Sequence, residues 1–340
     1  MEVAHQPSDL PVIAASAAAA DQPLLVLGGG SNLVVADHGV RACVVDMQIR
    51  GVTFTAVQQQ PRTEIVEVIA GAGERWDDLV ASACAKNLAG LECLSGIPGS
   101  VGATPIQNVG AYGQEIGDCL SWVEAFDLKQ AETVRLSRDE CELGYRQSRF
   151  KHRERGRWIV TRVCFQLVSG GAPSLRYAEL QQAAREVGGV ASLNSVRDLV
   201  LRLRRSKSML LDPADQNQRS CGSFFTNPVV GAELADAVTQ ISRRQGTGDP
   251  PMFPHGTSTK LSAGWLIENS GLNKGLREGP MGLSTKHALA LVAHQGATAA
   301  EAVRFARRVQ AHVQAHWGVQ LAPEPVFWGF EQLEGGLPLV

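Results

Sequence analysis

The 340-residue sequence contains no apolar run approaching the ~18 residues of a transmembrane helix, and charged residues make up only 19% of it. Its formal net charge of −2 provides no global attraction to nucleic acid or to an anionic membrane. The alanine-rich stretch Ala14–Ala20 lacks the preceding basic residues of a signal peptide, since the first Lys or Arg is Arg41. We therefore expect a cytoplasmic protein that binds neither nucleic acid nor membrane.

Paired cysteines and metal-ligand clusters are also missing. The seven cysteines are scattered, odd in number and form no C-x-x-C pair, which favours small buried thiols in a reducing compartment. His312 and His316 are four residues apart, but no acidic or thiol partner is near them in sequence and no H-E-x-x-H is present. We expect no metal ion.

Glycine, by contrast, is concentrated in two loops, the first of which follows the apolar run of PLLVLG. This run predicts a short buried strand that ends at Gly28, and the loop continues to Asn32 as GGGSN. Leu33 stands where a Rossmann motif needs its third glycine, and the residues after it have strand rather than helix character. The Gly-Lys-Ser/Thr ending of a Walker loop is absent too. The pattern predicts a strand, a glycine turn whose amides face a diphosphate, and a second strand.

The second loop, Ser95–Gly113, reads SGIPGSVGATPIQNVGAYG and holds five glycines. Glycine lets main chain approach a ligand closely, successive amides can bind an anion, and the side chains of Gln107 and Asn108 could bond to a ring or a ribose. The alternative is an ordinary glycine-rich surface loop. Because two phosphate-capable loops occur without a Rossmann helix, we expect a flavin dinucleotide held in another fold.

The rest of the chain mixes strand-like and helix-like segments, which predicts an α+β fold. Strands are predicted from Glu64, Trp122 and Trp158. Helices are predicted over about Trp76–Asn87, behind an S-x-x-D cap at Ser195 and Asp198, and from a capping box at Thr298 and Glu301 to a stop at Gly318. The expected parts of the chain are 1–58, rejoined by about 319–340, then 59–205 and 206–318.

Three further segments carry unusual chemistry. Tyr145–Lys151 (YRQSRFK) packs donors between two strands, unless it is an edge strand with a solvated charged face. Ser223 lies between a glycine and two phenylalanines, but it is no G-x-S-x-G elbow because Phe225 replaces the last glycine; a buried, backbone-bonded serine is the alternative. Glu324 lies between two prolines that restrict its backbone, which either positions a carboxylate or makes an exposed acidic turn.

Six motifs now occur in the order seen in one family: GGGSN from Gly28, GIPGSVGATPIQNVGAYG from Gly96, GYRQSRFK from Gly144, GSFFTNP from Gly222, KLSAGWLI from Lys260 and PEP from Pro323. The sequence therefore resembles the UDP-N-acetylenolpyruvoylglucosamine reductase family over about Pro23–Gly329. The resemblance implies an FAD-binding fold of the vanillyl-alcohol-oxidase type with a C-terminal α+β substrate-binding lobe. It makes 1–58 and 59–205 the two FAD-binding subdomains and 206–318 the substrate-binding domain.

The activity implied by the resemblance is an NADP-dependent reduction in two steps. NADPH reduces FAD and leaves, and UDP-N-acetyl-3-O-(1-carboxyvinyl)-glucosamine then enters the same pocket and is reduced to UDP-N-acetylmuramate. This reaction belongs to cytoplasmic peptidoglycan precursor synthesis, and hence to cell wall biogenesis, cell shape and cell division. The expected partner is this small-molecule substrate alone, and the protein is expected to be a monomer.

The resemblance also assigns residues to roles. Arg146 would fork onto the substrate carboxylate, Ser223 would donate the proton, and Glu324 would share a proton or orient the enolate. The implied cofactor-binding residues are Gly28, Gly29, Gly30, Ser31, Asn32, Gly96, Gly99, Ser100, Gly102, Gln107, Asn108, Gly110, Tyr112 and Gly113. The implied substrate-binding residues are Tyr145, Tyr177, Lys207, Asn227, Lys260 and His287.

The chain departs from the family pattern in three places. It begins MEVAHQPSDL where the family has a threonine-rich turn and a strand. The first subdomain is therefore expected to lack its usual N-terminal strand, and this loss would weaken the retention of FAD. Cys221 replaces a small residue and suggests sensitivity to oxidation. His287 stands where some members carry glutamine.

Two other functions remain open. One is a flavin oxidase of the same fold that acts on a small 2-hydroxy acid or a sugar with O₂ as acceptor. The other is a nucleotide-sugar-binding or regulatory protein that has lost FAD. The presence of Arg146, Ser223 and Glu324 together argues against the second, because a binding protein has no need of all three.

Overall fold

A computed structural model of the chain describes residues 1–60 and 63–339. The chain divides into two compact units: the first comprises Met1–Gly30 and Arg41–Arg205, and the second Ser31–Val40 and Ser206–Val340. The short segment 31–40 therefore belongs with the C-terminal part of the sequence. The three-part division expected from the sequence stays a prediction.

The elements of both units alternate in short stretches along the chain. The helices are α1 Asp9–Ala19, α2 Trp76–Ala85, α3 Thr104–Gln107, α4 Ala178–Glu186, α5 Leu193–Ser206, α6 Ala232–Gln245, α7 Ala263–Asn269 and α8 Ala299–Trp317. The strands are β1 Glu2–Ala4, β2 Leu24–Leu27, β3 Leu33–Val35, β4 Cys43–Met47, β5 Val52–Gln60, β6 Thr63–Gly71, β7 Leu88–Ala89, β8 Gly110–Ala111, β9 Gln114–Glu115, β10 Leu120–Asp127, β11 Glu132–Ser137, β12 Trp158–Ser169, β13 Val229–Val230, β14 Met252–His255, β15 Ser258–Leu261, β16 Arg277–Glu278, β17 Met281–Leu283, β18 Leu291–Ala293, β19 Val326–Trp328, β20 Leu333–Glu334 and β21 Leu337–Pro338.

The first unit is built on two sheets. One is parallel, in the order β1-β4-β2, and the other runs β11-β10-β12-β6-β5, with β7 paired to β12. Alternation along β6 buries Val66, Val68 and Ala70, as expected for a strand with one face on a core. Helix α2 covers that core, and the Trp76 ring meets the Phe165 ring edge-on at 5.8 Å between centroids.

A strand does precede the first helix, contrary to the expectation from the sequence. Strand β1 pairs in parallel with β4, in the register Glu2↔Val45 to Ala4↔Met47. Ala4 is buried, whereas Glu2 and Val3 are exposed. Three residues are too few to produce a readable alternation, so this strand depends on its pairing with β4 rather than on a local signal.

In its described residues the second unit contains three small sheets beside the hairpin β20-β21, and helix α8 packs against β17, β18 and β21. Strands β13-β15-β14 and β16-β17-β18 form two of these sheets, and β3 pairs in parallel with β19 in the third. Helix α8 begins at the predicted capping box of Thr298 and Glu301 and ends at Gly318, whose φ is +72°. Asp37, from segment 31–40, accepts hydrogen bonds from the amides of Ala299 and Ala300 at 2.7 and 3.1 Å. This segment thus contributes both a strand and a helix cap to the unit.

The local predictions were confirmed except for one helix start and for the burial of β2, whose residues are half-buried and whose Val26 is exposed. Strand β2, the glycine turn and strand β3 follow in the predicted order, and helix α2 and strands β6, β10 and β12 lie where the sequence places them. The start of α5 is earlier than predicted, because Ser192 rather than Ser195 caps it: the Ser195 amide donates to Ser192 Oγ at 3.1 Å.

Candidate functional site

The two glycine loops meet within the first unit. A Cβ placed on Gly29 would lie 2.7 Å from the Cα of Gly99, so neither loop could keep this approach with a larger residue at position 29. A Cβ on Gly28 would likewise overlap the hydroxyl of Ser100. The structure thus brings together, backbone against backbone, two segments that are 70 residues apart and that the sequence assigned to one cofactor.

Asp77 holds the beginning of the second glycine loop. Its carboxylate accepts the Gly96 amide at 2.5 Å and two nitrogens of Arg197, on α5, at 2.5 and 2.8 Å. Burial alone would raise the pKa of Asp77, but the hydrogen bonds from Arg197 and Gly96 bring that pKa below its usual value. Neither Asp77 nor Arg197 was predicted from the sequence as a functional residue.

Asn108, predicted to contact the cofactor, ties the second loop to neighbouring parts of the first unit. Its amide nitrogen donates to Glu115 Oε2 at 2.8 Å and to the Gly144 carbonyl at 2.9 Å, and its oxygen accepts the Gly117 amide at 3.1 Å. Both N–H donors of this buried amide are therefore used within the protein, and its contact with a ring or ribose stays a prediction. Asn108 shapes the loop and ties it to the turn that contains Arg146.

That turn consists of Gly144–Gln147, not of an edge strand. The amides of Gly144 and Gln147 each donate to the other residue's carbonyl at 3.0 Å, which leaves Tyr145 and Arg146 at the corner. Arg146 has φ of +54°. A non-glycine residue in this left-handed region costs about 1–2 kcal/mol, and such strain concentrates at functional sites.

The guanidinium of Arg146 reaches back to the second glycine loop. It donates to the carbonyls of Asn108 and Gly110 at 3.2 and 2.7 Å and lies over the Tyr145 ring, 5.6 Å from its centroid. Gln107, also predicted as a cofactor ligand, accepts a hydrogen bond from Lys151 Nζ at 2.8 Å. The second glycine loop and the segment that contains Arg146 are therefore joined by hydrogen bonds from side chains of each.

Ser223 and Glu324 are brought together in the second unit. Phe225 and Pro323 form an antiparallel bridge, and the Glu324 amide donates to the Phe224 carbonyl at 2.8 Å. Ser223 therefore directly precedes Phe224, the residue whose carbonyl is hydrogen-bonded to Glu324. Phe224 and Phe225 are buried and meet edge-on at 5.2 Å between centroids, which anchors the segment on the core of this unit.

Asn32 is part of the second unit, whereas the preceding glycines up to Gly30 are part of the first. Its side-chain nitrogen donates to the Glu324 carbonyl at 3.2 Å. Both backbone groups of Glu324 are therefore hydrogen-bonded, and the flanking prolines restrict its backbone further. The sequence offered no signal for this contact, because the two residues are 292 positions apart.

Burial shifts the pKa of two further predicted residues, Tyr112 and His287. In the first unit the rings of Tyr112 and Tyr177 meet edge-on at 5.7 Å, and burial raises the pKa of Tyr112 to about 12. In the second unit burial, with the charges of Lys207 and Lys274, lowers the pKa of His287 to about 4, so its imidazole is neutral at pH 7.

Two substrate candidates lie around strands β13 and β15. The Ala263 amide, at the start of α7, donates to Asn227 Oδ1 at 2.9 Å. Lys260 pairs with Val229 in the sheet, and its Nζ lies 5.9 Å from the centroid of the Phe253 ring.

All seven cysteines are free thiols, and Cys221 does not have the environment of a sensitive one. Its Sγ points to the Leu33 carbonyl at 3.7 Å, and burial raises its pKa to about 11. Because oxidation proceeds through an accessible thiolate, this environment disfavours the sensitivity that the sequence suggested.

Across residues 1–60 and 63–339, no group of three or more His, Cys, Asp or Glu side chains could hold a metal ion. Within the same described part of the chain, no helix combines the length and the apolar character that a membrane crossing requires.

Comparison with known sequence families gives two matches. Residues 3–137 match the family described as an FAD binding domain, and residues 212–328 match the C-terminal domain of UDP-N-acetylenolpyruvoylglucosamine reductase. The first match contains both glycine loops, and the second contains Ser223 and Glu324. Together with the mixed helices and strands, they confirm the expected α+β fold with an FAD-binding domain.

Individual relatives agree with these matches. UDP-N-acetylenolpyruvoylglucosamine reductase of Thermobifida fusca (strain YX) is 46% identical over 312 residues, which cover 90% of this chain and 86% of the relative. The enzyme of that name from Mycolicibacterium smegmatis (strain ATCC 700084 / mc(2)155) is 43% identical over 317 residues, covering 91% and 84%. Among solved structures, UDP-N-acetylenolpyruvylglucosamine reductase from Thermus caldophilus aligns with a TM-score of 0.63 at 26% identity and covers 96% of this chain and 91% of that one.

Proposed function

The chain belongs to the UDP-N-acetylenolpyruvoylglucosamine reductase family and contains an FAD-binding domain, and from this premise we propose that it uses NADPH to reduce the enolpyruvyl ether of UDP-N-acetylglucosamine to UDP-N-acetylmuramate. The observation that carries the proposal is the pairing of Ser223's segment with Glu324. This pairing would bring a proton donor and a carboxylate together from two bridged segments of one unit.

The residues of the first unit fit FAD. The contact of Gly29 with Gly99 joins two loops rich in backbone amides, and a side chain at position 29 would fill the space between them. Backbone amides exposed by glycine are suited to a diphosphate. We assign Gly28, Gly29, Gly30, Gly96, Gly99 and Ser100 to this role.

FAD held by these loops and reduced by NADPH would supply the hydride for the terminal alkene carbon of the enolpyruvyl group. Arg146 would hold the adjacent carboxylate of the substrate, where negative charge develops as the hydride arrives. A guanidinium suits this task because it donates two parallel hydrogen bonds and remains charged at any relevant pH. Its fixed position lowers the barrier, since no donor has to reorganise during the reaction.

Ser223 would give its hydroxyl proton to the neighbouring carbon, which completes the lactyl ether. A serine hydroxyl is a weak acid, but a carbanion-like carbon is basic enough to take the proton. Gly222, with φ of +69°, leads directly into Ser223, and the buried Phe224 follows it, so the hydroxyl sits between a sharp bend and a fixed core residue.

Glu324 would orient the enolate or share a proton with it. Its amide is bonded to Phe224 and its carbonyl to Asn32, so little entropy is lost in positioning the carboxylate. We also assign substrate contacts to Tyr145, Tyr177, Lys207, Asn227, Lys260 and His287, by their match to the family pattern.

The test is a visible spectrum of purified protein under anaerobic conditions. We expect flavin bands that bleach on addition of NADPH and return when one equivalent of the enolpyruvyl ether is added. UDP-N-acetylglucosamine, which lacks the enolpyruvyl group, is the matched control and should leave the flavin reduced. Reoxidation by O₂ with no response to the enolpyruvyl ether would instead support an oxidase. A colourless protein that takes up no FAD would support a binding function.

A further inference from the structure

Lys151 ends the YRQSRFK motif and has no role in the reaction described so far. Its ammonium donates to the carbonyl of Arg146 at 3.1 Å and to Gln107 Oε1 at 2.8 Å. All three residues lie in the first unit. Lys151 therefore joins the turn that presents Arg146 to the end of α3, in the second glycine loop.

The backbone of Lys151 is tied to the same place. Its amide donates to Ser148 Oγ at 3.2 Å, and that hydroxyl donates to the Ile106 carbonyl at 2.8 Å. Main chain and side chain of Lys151 thus both connect segment 145–151 with α3. An ammonium has three donors and no acceptor, so two carbonyl-type oxygens are suitable partners for it.

The carbonyl that Lys151 holds belongs to a strained residue. Arg146 keeps φ of +54°, which surrounding structure must enforce, because a non-glycine residue left to itself favours negative φ. The mutual hydrogen bonds of Gly144 and Gln147 close the turn on one side. Lys151 fixes the carbonyl at its corner, and the guanidinium of the same residue bonds to Asn108 and Gly110.

We propose that Lys151 is a positioning residue for Arg146: by bonding to the Arg146 carbonyl and to Gln107, it keeps the strained turn in the conformation that presents the guanidinium to the substrate carboxylate. This inference rests on the proposed function, in which Arg146 binds that carboxylate. Lys151 acts through Arg146, so removing its ammonium should impair the step that needs Arg146 and spare the step that does not.

The experiment measures the two half-reactions of the FAD-loaded enzyme separately by anaerobic stopped flow. Lys151→Met should lower the rate at which the enolpyruvyl ether reoxidises reduced flavin by about 10- to 100-fold, the scale of a small misplacement of a catalytic group. Flavin reduction by NADPH should change less than about twofold. Lys151→Arg should recover part of the loss, because a guanidinium also donates to two oxygens. Lys129→Met, in the exposed turn after β10, is the matched control and should behave as wild type.

A double-mutant cycle separates positioning from an independent effect. In an Arg146→Ala background, Lys151→Met should reduce the rate of the substrate step by less than about a further twofold, because the guanidinium that Lys151 positions is no longer present. A full, multiplicative loss in that background would overturn the proposal. So would equal losses in both half-reactions, or no loss in Lys151→Met.

A crystal structure of Lys151→Met provides a readout that does not depend on turnover. The φ of Arg146 should leave the left-handed region or its side chain should lose the contact with Gly110; an unchanged turn would overturn the proposal. If the wild-type enzyme fails to reduce the enolpyruvyl ether at all, the proposed function fails, whereas the structural link between Lys151 and Arg146 is still decided by this comparison.

Discussion

Arg197 donates two hydrogen bonds to the carboxylate of Asp77, at 2.5 and 2.8 Å, across 120 residues of sequence. The same carboxylate accepts the amide of Gly96 at 2.5 Å. One side chain thus connects helix α5, the first turn of α2 and the start of the second glycine loop. We infer that this loop depends on Asp77 for its position as much as on its own glycines.

Replacing Asp77 should therefore weaken FAD binding. In Asp77→Asn the Gly96 amide loses a charged acceptor, and a hydrogen bond to a charged group contributes about 1.5 kcal/mol, or about tenfold in Kd. Titration of apoprotein with FAD, followed by flavin fluorescence, measures this. Asp78→Asn is the matched control, since the Asp78 side chain is 65% exposed and pairs with Arg75 at 3.6 Å. Unchanged affinity in Asp77→Asn would show that the loop holds its shape without this carboxylate.

Alanine and glycine at position 146 should have the same effect on activity but different effects on stability. Both Arg146→Ala and Arg146→Gly should lose substrate reduction by at least ~10²-fold, because both lack the guanidinium. Arg146→Gly should nevertheless be more stable than Arg146→Ala, with a free energy of unfolding about 1 kcal/mol higher in urea denaturation. The reason is that only glycine accepts φ of +54° without strain. Equal stability of the two variants would mean that position 146 does not hold a left-handed backbone in solution.

His287 should make stability depend on pH. Burial, with the charges of Lys207 and Lys274, lowers its pKa from 6.5 to about 4 in the folded protein. Between these values the unfolded chain binds a proton that the folded chain does not, so this group destabilises the fold as pH falls from 6.5 toward 4. In His287→Gln the fall in melting temperature from pH 7 to pH 5 should be smaller than in wild type. A fall in His287→Gln equal to that of the wild type would contradict the lowered pKa.

Ser223 should be needed for only one half-reaction. Ser223→Ala should keep the NADPH-driven reduction of flavin and lose reduction of the enolpyruvyl ether by at least ~10²-fold, the usual scale for one acid group. Single-turnover kinetics with each reactant added separately provide the measurement. Ser220→Ala, on the same segment, should match wild type. Reoxidation by substrate at the wild-type rate in Ser223→Ala would exclude this serine as the proton donor.

Elements with signals inside a few residues could be predicted from the sequence. The capping box of Thr298 and Glu301 and the stop at Gly318 define α8 because each acts within one turn of the helix. The turn between β2 and β3 follows from consecutive glycines. Strand β1 could not be predicted, because residues 2–4 become a strand only by pairing with β4, some 40 residues later.

In the candidate site, too, residues within short motifs could be predicted, whereas features that depend on tertiary packing could not. Arg146, Ser223 and Glu324 were found through short motifs, but the left-handed backbone of Arg146 was not, since nothing in YRQSRFK requires it. The hydrogen bonds by which the amide of Asn108 joins two loops could not be predicted either, because they depend on tertiary packing. Contacts such as Arg197 with Asp77 arise from tertiary packing, and a single sequence contains no spacing that encodes them.

The pairing of β3 with β19 also constrains when the protein can finish folding. Asn32 and Glu324 are 292 residues apart, so the ribosome, adding about 5–20 residues per second, completes one roughly 15–60 s before the other. During that interval the segment 31–40 emerges without the strand it will pair with or the helix that Asp37 will cap. An unpaired strand on a nascent chain is prone to association with other chains. A strand made late in synthesis, Val326–Trp328, thus completes a sheet whose first strand, Leu33–Val35, was made early.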